Sequence, residues 1–140
     1  MKNKVIIITG ASDGIGAAAD GHHVVIVGRS PEKTAAVAQA LGTDYHLVDF
    51  TKLSEVRALA DELLKKYPRI DVLANNAGGV FGRQRCVTQD GHEITFQVNY
   101  LSGFLLTTRL LDRLIESRGT VVFTSSGANR FGNVDINDLE

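Results

Sequence analysis

The residues Thr9-Gly10-Ala11-Ser12-Asp13-Gly14-Ile15-Gly16 stand directly behind Val5-Ile6-Ile7-Ile8. A short, continuous apolar run of β-branched residues reads as a strand buried on both faces. The glycines behind it permit a tight turn in which backbone N–H groups approach an anion at a helix N-terminus. Strand, glycine turn and helix in that order open a dinucleotide-binding βαβ unit. The spacing here is G-x-x-x-G-x-G, not G-x-G-x-x-G, and glycines also make turns for packing alone. Gly10, Ser12, Asp13, Gly14, Ile15 and Gly16 are the candidate diphosphate contacts.

Outward from this turn the alternation continues. Val24–Val27 is a second strand run, stopped at Gly28. A helix between Ser30 and Gly42 has readable ends: Ser30 caps it, Pro31 suits the first turn, and Gly42 sits just past the last. Its apolar stripe is Ala35, Ala38 and Leu41. Tyr45–Val48 is a third strand. Over Ser54–Lys66, Val56, Leu59, Ala60, Leu63 and Leu64 fall on one helical face, with Pro68 beyond its end. Asp71–Ala74 is a fourth strand, one long apolar helix is predicted over Glu93–Glu116, and Thr120–Thr124 is a fifth strand. Strands spaced by helices imply right-handed crossovers. The fold class is therefore α/β: a doubly wound, Rossmann-like parallel sheet in one domain over residues 1–140, cut short after the fifth strand.

At the end of the second strand stands Gly28-Arg29-Ser30, where an acidic residue would bond a ribose 2′-hydroxyl. An arginine there pairs instead with a 2′-phosphate, which favours NADP over NAD.

Composition narrows the partners. With 140 residues, 44% hydrophobic and 22% charged, the chain is globular and has room for one domain. A net charge of −1 gives no basic excess for nucleic acid or anionic lipid. One cysteine, Cys86, excludes an internal disulfide and a Cys-cluster metal site. His22 and His23 are adjacent on a strand and point to opposite faces, so no metal is expected. No apolar run reaches a membrane span, and the apolar run at the N-terminus is short for a signal peptide. A cytoplasmic, soluble protein is the expectation.

These residues resemble the short-chain dehydrogenase/reductase family. Thr9–Gly16 matches its T-G-x-x-x-G-x-G motif, and Asn75-Asn76-Ala77-Gly78 its N-N-A-G motif after the fourth strand. Asp49-Phe50 matches the acidic position that contacts adenine. Asn99 matches the active-site Asn, and Ser125-Ser126 the motif whose second Ser is catalytic. Arg130-Phe131-Gly132 and Asp135–Leu139 resemble the retinol-dehydrogenase-like branch, which tends to act on lipophilic alcohols and carbonyls. The resemblance implies reversible hydride transfer between NADP(H) and a small carbonyl or alcohol. In it, Ser126 bonds the substrate oxygen, Asn99 holds a water in a proton relay, and Asn76, Ala77 and Gly78 bind cofactor. It also implies that the long helix builds a homodimer or homotetramer interface.

The family's acid/base is a Tyr with a Lys four residues on. Neither Tyr45, Tyr67 nor Tyr100 is so followed, so the chain as it stands is expected to be inactive. Only Ala17-Ala18-Ala19-Asp20 remain for the first crossover helix. These rise about 6 Å at roughly 1.5 Å each, against about 16 Å of strand. Parallel crossovers take a dozen or more residues with a full helix, so residues are expected to be missing between about Ala17 and Gly21, and again after Glu140. The alternatives to an oxidoreductase are a non-catalytic dinucleotide sensor that lost the base and a structural subunit that serves assembly.

Overall fold

The computed structural model describes residues 3–11, 21–82, 84–127, 135 and 137. In chain order these form β1 (Val5–Thr9), β2 (His23–Gly28), α1 (Pro31–Leu41), β3 (Asp44–Leu47), α2 (Leu53–Lys66), β4 (Val72–Asn75), α3 (Ile94–Phe96), a π-helical turn (Gln97–Leu101), α4 (Ser102–Arg109), α5 (Leu111–Glu116) and β5 (Thr120–Phe123). The strands make one sheet in the order β3-β2-β1-β4-β5, and every pair is parallel. From β1 the chain first winds outward through β2 and β3, then returns to the other side for β4 and β5. A crevice opens at such a reversal, above the carboxyl ends of the strands.

Period-two alternation splits each central strand between two faces. Ile7, Val25, Val27 and Leu73 face one way and pack with Val56, Leu59, Ala60 and Leu63 of α2 and with Leu106, Leu110 and Leu114. Ile8, Val24 and Ile26 face the other way, with Ala11 and Val37 of α1. The apolar face read for α2 is the buried one, with Leu64 at its margin.

The ends of α1 follow the sequence. The Ser30 Oγ accepts from the Lys33 N–H at 3.4 Å, and Gly42 takes φ +62°. Its buried residues differ from the expected stripe: Thr34 and Ala38 are inside, and Leu41 is exposed at an open depression beside His22 and Thr43.

The largest correction concerns the single helix expected over 93–116. It is divided twice. Between Gln97 and Leu101 the turn widens to a π-helix, and Leu110 leaves the helical region at φ −94°, ψ 0° while fully buried. Apolar periodicity reports which face is inside; it is blind to a single widened turn, the form in which π-helix occurs inside α-helices. Strand bounds shift by a residue at β2, β3, β4 and β5, and Val48 is buried just beyond β3.

The chain leaves β1 at Gly10 and is back at the strand's amino end by Gly21, whose carbonyl accepts from the Asn3 N–H at 3.2 Å. The expected crossover helix, the missing segment near Ala17–Gly21, and candidates Ser12, Asp13, Gly14, Ile15 and Gly16 lie outside the described residues. So do Arg130-Phe131-Gly132 and most of Asp135–Leu139. The strand β5 is an edge of the sheet, with Val122 and Phe123 exposed.

One carboxylate ties the amino ends of β1 and β4. Asp71, buried, accepts the Val5 N–H at 2.9 Å and the Arg69 Nε–H at 2.7 Å. Burial pushes its pKa up, but these bonds outweigh that and hold it below the ordinary 3.8. A carboxylate with a folded pKa below its unfolded one stabilises above the unfolded value, and that contribution fades as pH falls through the folded value. Urea titrations should find Asp71→Asn less stable than wild type at neutral pH, with the gap narrowing below about pH 4. A gap that stays constant on acidification would contradict this.

Candidate functional site

Thr9 is the last residue of β1 and almost wholly buried. Its hydroxyl accepts from the N–H groups of Asn76 and Ala77, both at 3.0 Å, and donates to the Ala74 carbonyl at 3.3 Å. Gly10 follows with φ +69°, and its N–H donates to the Val27 carbonyl at 2.8 Å. A Cβ on Gly10 would stand 2.7 Å from the Ala77 Cα, so only glycine lets these two backbones meet.

Beside that contact a cavity of about 320 Å³ opens at the carboxyl ends of the strands. Gly10, Asn76, Ala77 and Gly78 form one wall, Gly28 and Arg29 another, and Asp49, Phe50 and Thr51 a third. Four separate sequence signals thus converge on one cleft. Arg29 is exposed at its edge, with no ion-pair partner among the described residues. Ser30 does not line it; its hydroxyl serves the α1 cap. The Asp49 carboxylate accepts from the Thr51 N–H at 3.0 Å and the Thr51 hydroxyl at 2.8 Å, which rounds the turn after β3.

Asn99 lies in the π turn and grips one residue at both ends. Its Oδ1 accepts from the Gly79 N–H at 2.8 Å, and its Nδ2 donates to the Gly79 carbonyl at 2.9 Å. Gly78 passes under the same side chain: a Cβ there would be 3.1 Å from Asn99 Oδ1. The amide that the resemblance assigns to a water is here engaged by backbone.

Ser126 is exposed beyond β5, at the same carboxyl edge as the glycine turn and two strands away. Its approach is fixed two residues earlier: the Thr124 N–H donates to the Asn75 carbonyl, and the Thr124 hydroxyl donates to Asn76 Oδ1 at 3.0 Å. Asn75 anchors the segment from within, donating to Thr107 Oγ1 at 2.9 Å while its buried Oδ1 has no partner among the described residues.

Thr51, Gly79, Val80, Phe81 and Val98 also line the cleft and were not among the sequence candidates. Gly79 extends the glycine pair after Asn76 and was within reach of the motif; the others carry no distinctive spacing. Among the described residues no group of His, Cys, Asp and Glu could hold a metal ion, and no helix is long and apolar enough to cross a membrane.

A cleft lined by the backbone of Gly10, Gly28, Gly78 and Gly79 at the topological switch point fits the diphosphate of a dinucleotide, because glycine lets an anion approach the main chain. Comparison with known proteins agrees. The short chain dehydrogenase family model matches residues 4–137. A protein of Streptomyces sp. (strain C5), named provisionally as a daunorubicin C-13 ketoreductase, is 45% identical over 99% of this chain and 52% of its own length. Retinol dehydrogenase 14 of Mus musculus is 38% identical over 99% of this chain and 48% of its own. A solved structure from Escherichia coli CFT073, described provisionally as a short chain dehydrogenase and complexed with NADPH, superposes with a TM-score of 0.77. It is 32% identical, with 95% of this chain and 62% of that one covered. The chain spans about half the length of the curated relatives it matches.

The Thr9 hydroxyl satisfies two buried N–H groups at once. Thr9→Val keeps the shape and orphans both, which should cost about 1–3 kcal/mol in denaturant unfolding. Thr9→Ser keeps the hydroxyl and should lose markedly less. A larger loss in Thr9→Ser than in Thr9→Val would show that the methyl group, not the hydroxyl, matters.

Proposed function

The chain belongs to the short-chain dehydrogenase family, on its retinol-dehydrogenase-like branch, and from that premise we propose that it is the dinucleotide-binding part of an NADP(H)-dependent oxidoreductase. Its substrate is a carbonyl or alcohol of lipophilic character. The observation that carries this reading is the glycine-walled cleft in which Gly10, Arg29, Asp49 and Ala77 meet.

The bound nicotinamide cofactor would supply the hydride; the protein binds, orients and polarises. The backbone from Gly10 onward takes the diphosphate. Asp49 and Phe50 take the adenine end. Arg29 offers two or more N–H groups to a 2′-phosphate, and Ser30 opens the α1 N-terminus beside it, where an anion is favoured. Asn76, Ala77 and Gly78 take the nicotinamide end. Asn99 holds Gly78 and Gly79 in place there, and Ser126 stabilises charge on the substrate oxygen.

No tyrosine in the chain is placed as the proton donor. Tyr67 is buried at the amino ends of the strands, away from the cleft, and its hydroxyl donates to Asp44 Oδ2 at 3.0 Å. Burial first, and that carboxylate second, push its pKa far above the ordinary 10.0. Tyr100 is exposed and stacks between Phe96 and Phe104. Residues 1–140 by themselves therefore bind cofactor without turning over. The aromatic ridge of Phe96, Tyr100 and Phe104, continued by exposed Leu111 and Ile115, supports self-association through the outer face of α4 and α5.

Fluorescence titration tests the reading. NADPH should bind more tightly than NADH, and Arg29→Ala should remove most of that preference, about tenfold for one lost charged contact. With NADPH and a long-chain aldehyde the 140-residue chain should show no oxidation. An unchanged NADPH/NADH ratio in Arg29→Ala removes the 2′-phosphate assignment, and failure to bind either nucleotide removes the function.

A further inference from the structure

Behind the cleft wall lies a polar group that no cofactor or substrate role uses. Gln97 opens the π turn and is fully buried. Its Oε1 accepts from the Thr88 hydroxyl at 2.5 Å. Its Nε2 donates to Asp90 Oδ2 at 2.9 Å and to the Phe50 carbonyl at 3.3 Å. A buried amide tolerates no unsatisfied group cheaply, so this pattern permits one orientation of the side chain.

Of these three partners, Phe50 is the one that lines the cleft. Phe50 sits in the turn that rounds Asp49; Val98, the next residue after Gln97, also lines the cleft. Asn99, one residue further, holds Gly79. Asp90 also accepts the Leu53 N–H at 2.8 Å. It thereby caps α2, whose own N-cap, Lys52, makes no side-chain cap bond. The Leu53 bond above all holds the Asp90 carboxyl below its usual range, so it stays an ionised acceptor.

We infer that Gln97 is a positioning residue that sets the separation of the two ends of the cleft, bonding the Asp49–Thr51 turn through Phe50 and carrying Asn99 in the turn it begins. This rests on the cleft being the dinucleotide site. The tie is not the sole support of either end. The Phe50 carbonyl keeps the Ser102 hydroxyl at 2.8 Å, and Asp90 keeps Leu53. Loss of the amide should therefore leave a folded protein with a misplaced cleft.

The test uses amide NMR spectra of the 140-residue chain without nucleotide, followed by NADPH titration. In Gln97→Met, of similar length but without polar atoms, the amides of Thr51 and Leu53 and the distant amide of Gly79 should all shift. NADPH affinity should fall about tenfold. Ser102→Ala removes a bond to Phe50 but leaves Gln97, and should shift Thr51 without Gly79. If Gln97→Met does not fold, Thr88→Val, which frees Oε1 alone, should give the same Gly79 displacement at smaller amplitude. An unmoved Gly79 amide overturns the inference, as does unchanged NADPH affinity beside a wild type that binds. If the wild type binds no NADPH, the dinucleotide reading fails, and the Gly79 shift still decides whether Gln97 couples the two ends.

Discussion

The rest of the structure depends on how β1 meets β4. Two anchors, one at each end of this parallel pair, fix it. At the amino end the Asp71 carboxylate takes the Val5 N–H. At the carboxyl end the Thr9 hydroxyl takes two N–H groups from the Asn76-Ala77 segment. Each bond is worth only about 1 kcal/mol net, but leaving such groups buried and unpaired costs more. With both ends fixed, Gly10 meets Ala77 at a distance no side chain allows, and the cleft opens beside that contact. The position of the site is thus a consequence of main-chain geometry, with side chains added around it.

The two ends of the sheet have different electrostatic character. At the amino ends Asp44 Oδ2 gathers His23, Tyr67 and Lys66 within 3.1 Å. Charges there are matched locally, as a closed structural joint requires. At the carboxyl ends the cleft is lined by main chain at Gly10, Gly28, Gly78 and Gly79, with Arg29 at its edge and without an ion-pair partner among the described residues. That asymmetry is what an anionic ligand needs at one end of a sheet and a stable fold needs at the other.

Much of this was legible in the sequence because it is local. Ser30, Pro31 and Gly42 delimit α1 through cap chemistry that acts within a few residues. The α2 face follows from helical spacing and the glycine turn from its composition behind a strand, while Asp49-Phe50 and Asn75–Gly78 stand out through the family resemblance. What sequence did not reveal is non-local. Asp90 caps a helix that begins 37 residues earlier, and nothing near Leu53 points to it. The π turn adds no unusual residue, so the stretch around Gln97 and Asn99 reads as ordinary helix. Leu110 breaks the same helix to fill the core, a choice made by packing against α2 and not by helix propensity. The buried Gln97 amide looks like a surface residue until its three partners, Thr88 and Asp90 from one loop and Phe50 from another, are brought around it.

The central claim is that the cleft at the carboxyl ends of β1 and β4 receives a nicotinamide dinucleotide. Mapping backbone amide shifts along the chain at saturating NADPH tests it most directly. The account predicts displacements concentrated at Gly10, Gly28, Asp49 and Ala77–Gly79, with Gly42–Asp44 at the opposite end of the sheet unmoved. Displacements centred on Gly42–Asp44, or a spectrum that saturating NADPH leaves unchanged, would contradict it.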